Sequence, residues 1–162
     1  MSQFTGNWID SIGAIIPGYK GYKDKEMRRD TDKVLRNGIV KILNDKRPVL
    51  DRLIADSLKG RIELVDKLNQ IKRKLDNAAT LIRTAPAGYS GFFDTVQVNA
   101  GDLDRLYQFD KNLGDKATQV TGLIDGLGAA KDPAGAGAVT LQALQEFDEL
   151  IRQRDQVIAE VR

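Results

Sequence analysis

The chain contains neither cysteine nor histidine. The first absence excludes disulfides and thiolate nucleophiles. The second excludes imidazole general bases, and together they exclude zinc sites of the usual Cys/His kind and the Glu-x-x-His di-iron motif of ferritin-like bundles. Lack of cysteine also fits a cytoplasmic setting. Aromatic residues make up only 6% of the chain, so a core must rest on Leu, Ile, Val and Ala, as helical bundles do. No run of about 18 apolar residues occurs, so no membrane-spanning helix is expected. The first residues lack the cationic-then-apolar pattern of a signal peptide, and Ile12 to Ile16 is too short and too close to glycine for its apolar region. EF-hand, P-loop and dinucleotide glycine patterns are missing. GAAKDPAGAG (128–137) has glycines but no following Lys-Ser/Thr, so it does not read as a phosphate cradle.

What the chain does contain is helical periodicity. Its 162 residues suit one ordinary domain, and 41% hydrophobic with 30% charged residues argues against disorder. Leu64, Leu68, Ile71, Leu75, Ala78 and Ile82 recur at alternating steps of four and three, a seam of the coiled-coil kind that must be buried against another element. Leu50 and Ile54 extend it upstream. The expectation is an all-α, up-and-down bundle of three to four long helices, possibly elongated, forming a single helical domain over 1–162. Its helices are expected at 23–43, 47–84, 100–127 and 138–162, with an amphipathic segment at 1–18. The 47–84 helix would be roughly 55 Å long, with Gly60 as its weak point. Asn44-Asp45 reads as a stop and restart before Pro48, with a single kinked helix as the alternative.

The connectors are expected at 44–48, 85–99 and 128–137. In the second, Tyr89, Phe92, Phe93, Val96 and Val98 are apolar enough to fold back on the bundle end. The third is Gly/Ala-rich and reads as a mobile loop. Asp110 interrupts the third helix's seam, and Gly114, Gly122 and Gly126 weaken it. The last periodic stretch runs to Arg162, as it would in a piece of a longer protein.

Charge is unevenly placed. Residues 1–84 carry 18 Lys/Arg against 11 Asp/Glu, whereas residues 85–162 carry 7 against 12. Two readings follow: the halves attract each other across the bundle, or the basic half faces an anionic partner. The densest cations are Lys20, Lys23, Lys25, Arg28, Arg29, Lys33 and Arg36, a candidate anion or partner surface. Intervening Asp24, Glu26, Asp30 and Asp32 permit local pairing instead. Nucleic acid is disfavoured, because only Tyr19 and Tyr22 flank this cluster.

Phe4, Trp8, Ile12, Ile15 and Ile16 share one face of the N-terminal segment, a candidate membrane or docking face. It would lie in an anionic bilayer surface beside Lys20 to Arg29, dock on the bundle, or pack on a second copy. Against the bilayer, the segment itself carries no Lys or Arg. Asp94, Asp102, Asp104 and Asp110 invite a metal reading, but Asp102 and Asp104 point to different sides of a helix, and Asp102 fits a helix start. Glu146, Asp148 and Glu149 are ordinary helix-surface carboxylates. No catalytic, cofactor-binding or metal-binding residue is assigned.

Two segments, IPGYKGYKDKEMRRDTDKVLR ending at Arg36 and GYSGFFDTVQVNAGDLDRLYQFD ending at Asp110, resemble a family of uncharacterised bacterial helical proteins. That family carries an IPGY-x-GY-x-x-KE-x-RR stretch and a later GY-x-GFFD stretch. The resemblance covers about a quarter of the chain. It implies helical architecture and a bacterial cytoplasmic origin, and it transfers no catalytic residue. The two segments are expected to meet at one end of the bundle, or to form a surface that another protein reads. The functional expectation is a non-enzymatic interaction or scaffold protein with a protein partner or self-association. The alternative is a peripheral membrane-surface protein using the N-terminal face and its basic neighbours.

Overall fold

The computed structural model describes residues 3–22, 25–84 and 99–160, with side chains described for 7–22, 26–84 and 99–157. Among these the fold is all-α. The helices are α1 (Gln3–Gly13), α2 (Arg28–Asn44), α3 (Arg47–Ser57), α4 (Ile62–Arg83), α5 (Ala100–Gly126) and α6 (Pro133–Glu160), with short 3-10 turns at Lys25–Met27 and Leu127–Ala129. The predicted seam forms as read: Leu64, Leu68, Ile71, Leu75, Ala78 and Ile82 are all buried on α4.

Four long helices close a ring in which α2 packs on α4, α4 on α6, α6 on α5 and α5 on α2. Ion pairs fix the directions. Arg47–Asp76 and Lys72–Asp51 run α3 antiparallel to α4, and Lys116–Glu146 and Arg154–Asp110 run α5 antiparallel to α6. The link from α4 to α5 therefore joins helices on opposite corners of the ring.

The expected helix over 47–84 is two helices, and the correction moves the first turn of the bundle. Backbone at Asp45 and Lys46 stays in the right-handed helical region. Pro48 lacks the N–H that would continue the ladder, so α2 bends into α3 there instead of reversing. Both α2 and α3 pack on α4. The reversal comes at Leu58 to Arg61, around Gly60, where the side chains are exposed and nothing apolar holds a helix together.

Two other boundaries shift. The last helix starts at Pro133 and not at 138, because Asp132 caps it, its Oδ1 accepting from Gly135 N at 3.1 Å, with proline at the first helical position. The stretch expected as a mobile loop is therefore half helix. The first helix of the ring starts at Arg28, after a 3-10 turn, and not at 23. The start of α5 is capped by Asn99, whose Oδ1 accepts from Asp102 N at 2.8 Å. Asp102 is thus a first-turn acid favoured by the helix dipole, and Asn99 is the cap.

Candidate functional site

The densest constellation of polar side chains lies inside the bundle. It begins with two glycines in the IPGYKGY stretch. Gly18 and Gly21 have φ of +88° and +79°, conformations that other residues adopt only with strain. These bends carry Tyr19 and Tyr22 inward from the same short turn. Both phenols donate to one oxygen of Asp110: Tyr19 Oη at 3.1 Å and Tyr22 Oη at 2.6 Å from Oδ2. The other oxygen, Oδ1, accepts from Arg154 Nε at 2.8 Å.

Arg154 bridges onward. Its Nη2 donates to Asp32 Oδ1 at 2.8 Å, and Arg36 Nε donates to Asp32 Oδ2 at 2.8 Å. The Tyr22 backbone N–H donates to the hydroxyl of Tyr107. Thr31 Oγ1 donates to the Gly21 carbonyl at 2.7 Å, and Arg28 Nε to the Tyr22 carbonyl at 2.8 Å. Tyr22 packs edge-on to Tyr19 and tilted against Tyr107. Asp110 is 0% exposed, Asp32 1% and Arg154 3%. Among the described residues no buried side-chain polar atom lacks a partner. The joint ties the turn after α1 to α2, α5 and α6.

Electrostatics follow from burial. Loss of water pushes the Asp110 carboxyl above the usual carboxylate range, while Arg154 and the Tyr22 hydroxyl pull it back. Burial also pushes the Tyr19 and Tyr22 phenols well up, reinforced by the neighbouring Asp110 charge. Tyr107 is raised mainly by burial, opposed by the Tyr22 N–H it accepts. Raised phenols stay neutral donors, and that keeps the carboxylate solvated from within.

No family model matches the chain, and no match is found among curated proteins or solved structures. The site joins parts of the two segments on which the sequence resemblance rests, since Tyr19 and Tyr22 of the first meet Tyr107 and Asp110 of the second. Phe92, Phe93 and Asp94 of the second lie outside the described residues, as do Tyr89, Val96 and Val98.

The described members of the predicted basic surface divide into two groups. Arg28 and Arg36 are half-buried and turned inward to the joint. Lys20, Arg29 and Lys33 are exposed. Lys23 lies outside the described residues, and the side chain of Lys25 does too. The N-terminal face is docked: Ile12 and Ile16 are buried, and Trp8 and Ile15 are half-buried against the core. The side chain of Phe4 lies outside the described residues. Asp102 is half-buried and Asp104 exposed, and among the described residues no cluster of carboxylates approaches metal-binding geometry.

Asp110 was legible only as a break in an apolar seam, and Tyr19 and Tyr22 only as flanks of a basic run. Arg154 carried no signal that set it apart from the other charges of the last helix. Two small cavities lie among the described residues. One, of about 20 Å³, lies under the α3–α4 turn among Leu53, Leu64, Leu68 and Leu127. The other, of about 10 Å³, lies beside Arg154. Each has room for roughly one water molecule.

Proposed function

We propose that the chain is a non-enzymatic interaction or scaffold protein, bacterial and cytoplasmic, that works by presenting outer helix faces. Its buried ionic cluster is occupied in holding four elements together. The observation that carries the reading is where the remaining charge goes. Among the described residues, the ion pairs stay mostly within each half of the chain: Lys41–Asp45, Arg47–Asp76 and Lys72–Asp51 in the first, Lys111–Asp115, Lys116–Glu146 and Arg152–Asp148 in the second. A first-half cation reaches a second-half acid at Lys46–Asp125. Much of the remaining basic charge among the described residues stands exposed on outer helix faces.

Arg52, Lys59, Arg61, Arg73, Lys74 and Arg83 are exposed along α3, α4 and the turn between them, and Leu58 and Ile62 stand 59% and 70% exposed at that turn. Exposed apolar side chains amid cations suit an acidic protein surface. The test is a pull-down from bacterial lysate with the wild type beside Arg73→Glu/Lys74→Glu and Leu58→Asp/Ile62→Asp. Capture by the wild type that both variants lose supports the reading; a partner retained by both removes these faces from it.

The membrane-surface alternative is weakened by the docked N-terminal face, on which Ile12 and Ile16 are buried and Trp8 and Ile15 half-buried. No helix among the described residues is long and apolar enough to cross a membrane. Membership of the bacterial family with the IPGYxGY and GYxGFFD segments is likewise a proposal, supported by the meeting of Tyr19 and Tyr22 with Asp110.

A further inference from the structure

The N-terminal segment, α1 and the residues up to Gly18, is attached differently from Tyr19 and Tyr22 just after it. Ile9 of α1, and Ile15 and Ile16 just after it, sit on glycines. A Cβ built on Gly38 of α2 would lie 2.5 Å from Ile16 Cγ2, and one on Gly21 would lie 2.7 Å from Ile9 Cδ1. One on Gly114 of α5 would touch Ile15 Cδ1 at 3.4 Å. These glycines form a seat cut to the shape of this segment. Yet among the described residues no hydrogen bond or ion pair joins Asn7 to Gly18 to α2, α5 or α6. The hydroxyl of Ser11 donates within its own helix, to Asn7 O, and the backbone bonds of Ala14, Ile15 and Ile16 are local. Polar attachment starts abruptly at Tyr19 and Tyr22. Between the two regimes lies Pro17-Gly18, exposed, with Gly18 at positive φ. An arm held only by apolar packing thus meets a firmly bonded body at a hinge.

We propose that α1 is an exchangeable arm that pivots at Pro17-Gly18 and occupies the glycine-floored seat of a second copy of this chain, giving a swapped dimer. A lifted arm leaves two apolar surfaces bare, its own face and the seat. An identical chain covers both with the contacts already present, so the exchange costs little beyond the change at the hinge. Charge favours this occupant over a bilayer. The only charged residue between Gln3 and Gly18 is Asp10, which anionic headgroups repel. The inference goes beyond the reading above, because it concerns the inner seat and not the outer helix faces, and either can fail alone.

Complementation tests it. A seat-blocked chain, Gly38→Leu, keeps its arm but cannot house it. An arm-disabled chain, Ile12→Asp/Ile16→Asp with Trp8→Phe, keeps its seat. Trp8 is the sole tryptophan, so emission in the mixture reports the arm of the seat-blocked chain alone. The expected result is a shift of Trp8 emission to shorter wavelength on mixing, saturating at one to one, with the scattering mass doubling from one chain to two. Each variant alone should stay at the mass of one chain. If either variant loses its helical circular dichroism, Gly38→Ala and a synthetic peptide of residues 3–18 added to the chain with the seat intact replace it, read by the same Trp8 shift. No shift and no doubled mass with folded partners overturns the proposal. So does a Trp8 shift that phosphatidylglycerol vesicles produce and the arm-disabled chain does not.

Discussion

Arg154 and Asp110 face each other from α6 and α5, Nε to Oδ1 at 2.8 Å, with both side chains sealed from solvent. Their pairing decides how the bundle tolerates charge at its centre. Ions taken out of water are costly, and this arginine is held by two carboxylates at once, Asp110 and Asp32. The cluster is stable only as a set.

Removing the cation should therefore cost far more than one hydrogen bond. Arg154→Met leaves Asp110 and Asp32 buried without the guanidinium, and a loss of about 3–5 kcal/mol is expected, the range for breaking a buried ion pair. Urea unfolding monitored by circular dichroism measures it. A loss below about 1 kcal/mol would mean that the cluster is hydrated in solution.

The two phenols on Asp110 should be unequal. Tyr22 donates at 2.6 Å and is fully buried, whereas Tyr19 donates at 3.1 Å from a slightly exposed position. Tyr22→Phe removes a bond to a charged acceptor, for which about 1.5–3 kcal/mol is expected. Tyr19→Phe should cost less. The reverse order in thermal or urea denaturation would contradict the geometry.

Alkaline pH should unfold the protein through these phenols. Tyr19, Tyr22 and Tyr107 are all raised in the folded state. A group raised on folding stabilises the fold fully below its unfolded value, about 10, and that contribution is lost as pH climbs above it. Phenolate absorbance from these three should therefore appear together with loss of helical circular dichroism, above about pH 10. Tyr22→Phe should retain fewer phenols that ionise with unfolding. Ionisation of all tyrosines while the helices stay intact would rule this out.

Glycines that look alike in the sequence should respond in opposite directions. Gly122 lies within α5 with open space where a Cβ would go, so Gly122→Ala should stabilise by about 1 kcal/mol. Gly21 is at positive φ, and a Cβ there would meet Tyr107 Oη at 2.8 Å. Gly21→Ala should destabilise and loosen Tyr22 from Asp110. Paired melting curves of the two variants suffice.

Much of the fold was readable along the chain because its signals are local. The seam from Leu64 to Ile82 needs only the helical repeat, and all six positions are buried. The start of α6 was also written in the chain, as Asp132 followed by Pro133, but weak periodicity over the small residues beyond it hid the cap. The turn at Gly60 was recognised as a weak point and not as a reversal, because nothing in residues 58–61 reveals that α3 and α4 lie side by side. Asp110 looked like a flaw in a seam for a similar reason. Its partners Tyr19 and Tyr22 are 91 and 88 residues away, and Arg154 is 44 away.

Composition and spacing alone determined that this chain buries apolar helix faces without cysteine or histidine chemistry, since both follow from residue type and a repeat of a few positions. Only the folded arrangement decided that an aspartate and an arginine belong in the core, that the chain reverses at Gly60, and that α1 rests on bare glycines. Those outcomes depend on which distant surfaces meet, and contact between them is set by packing in three dimensions, which no local repeat encodes.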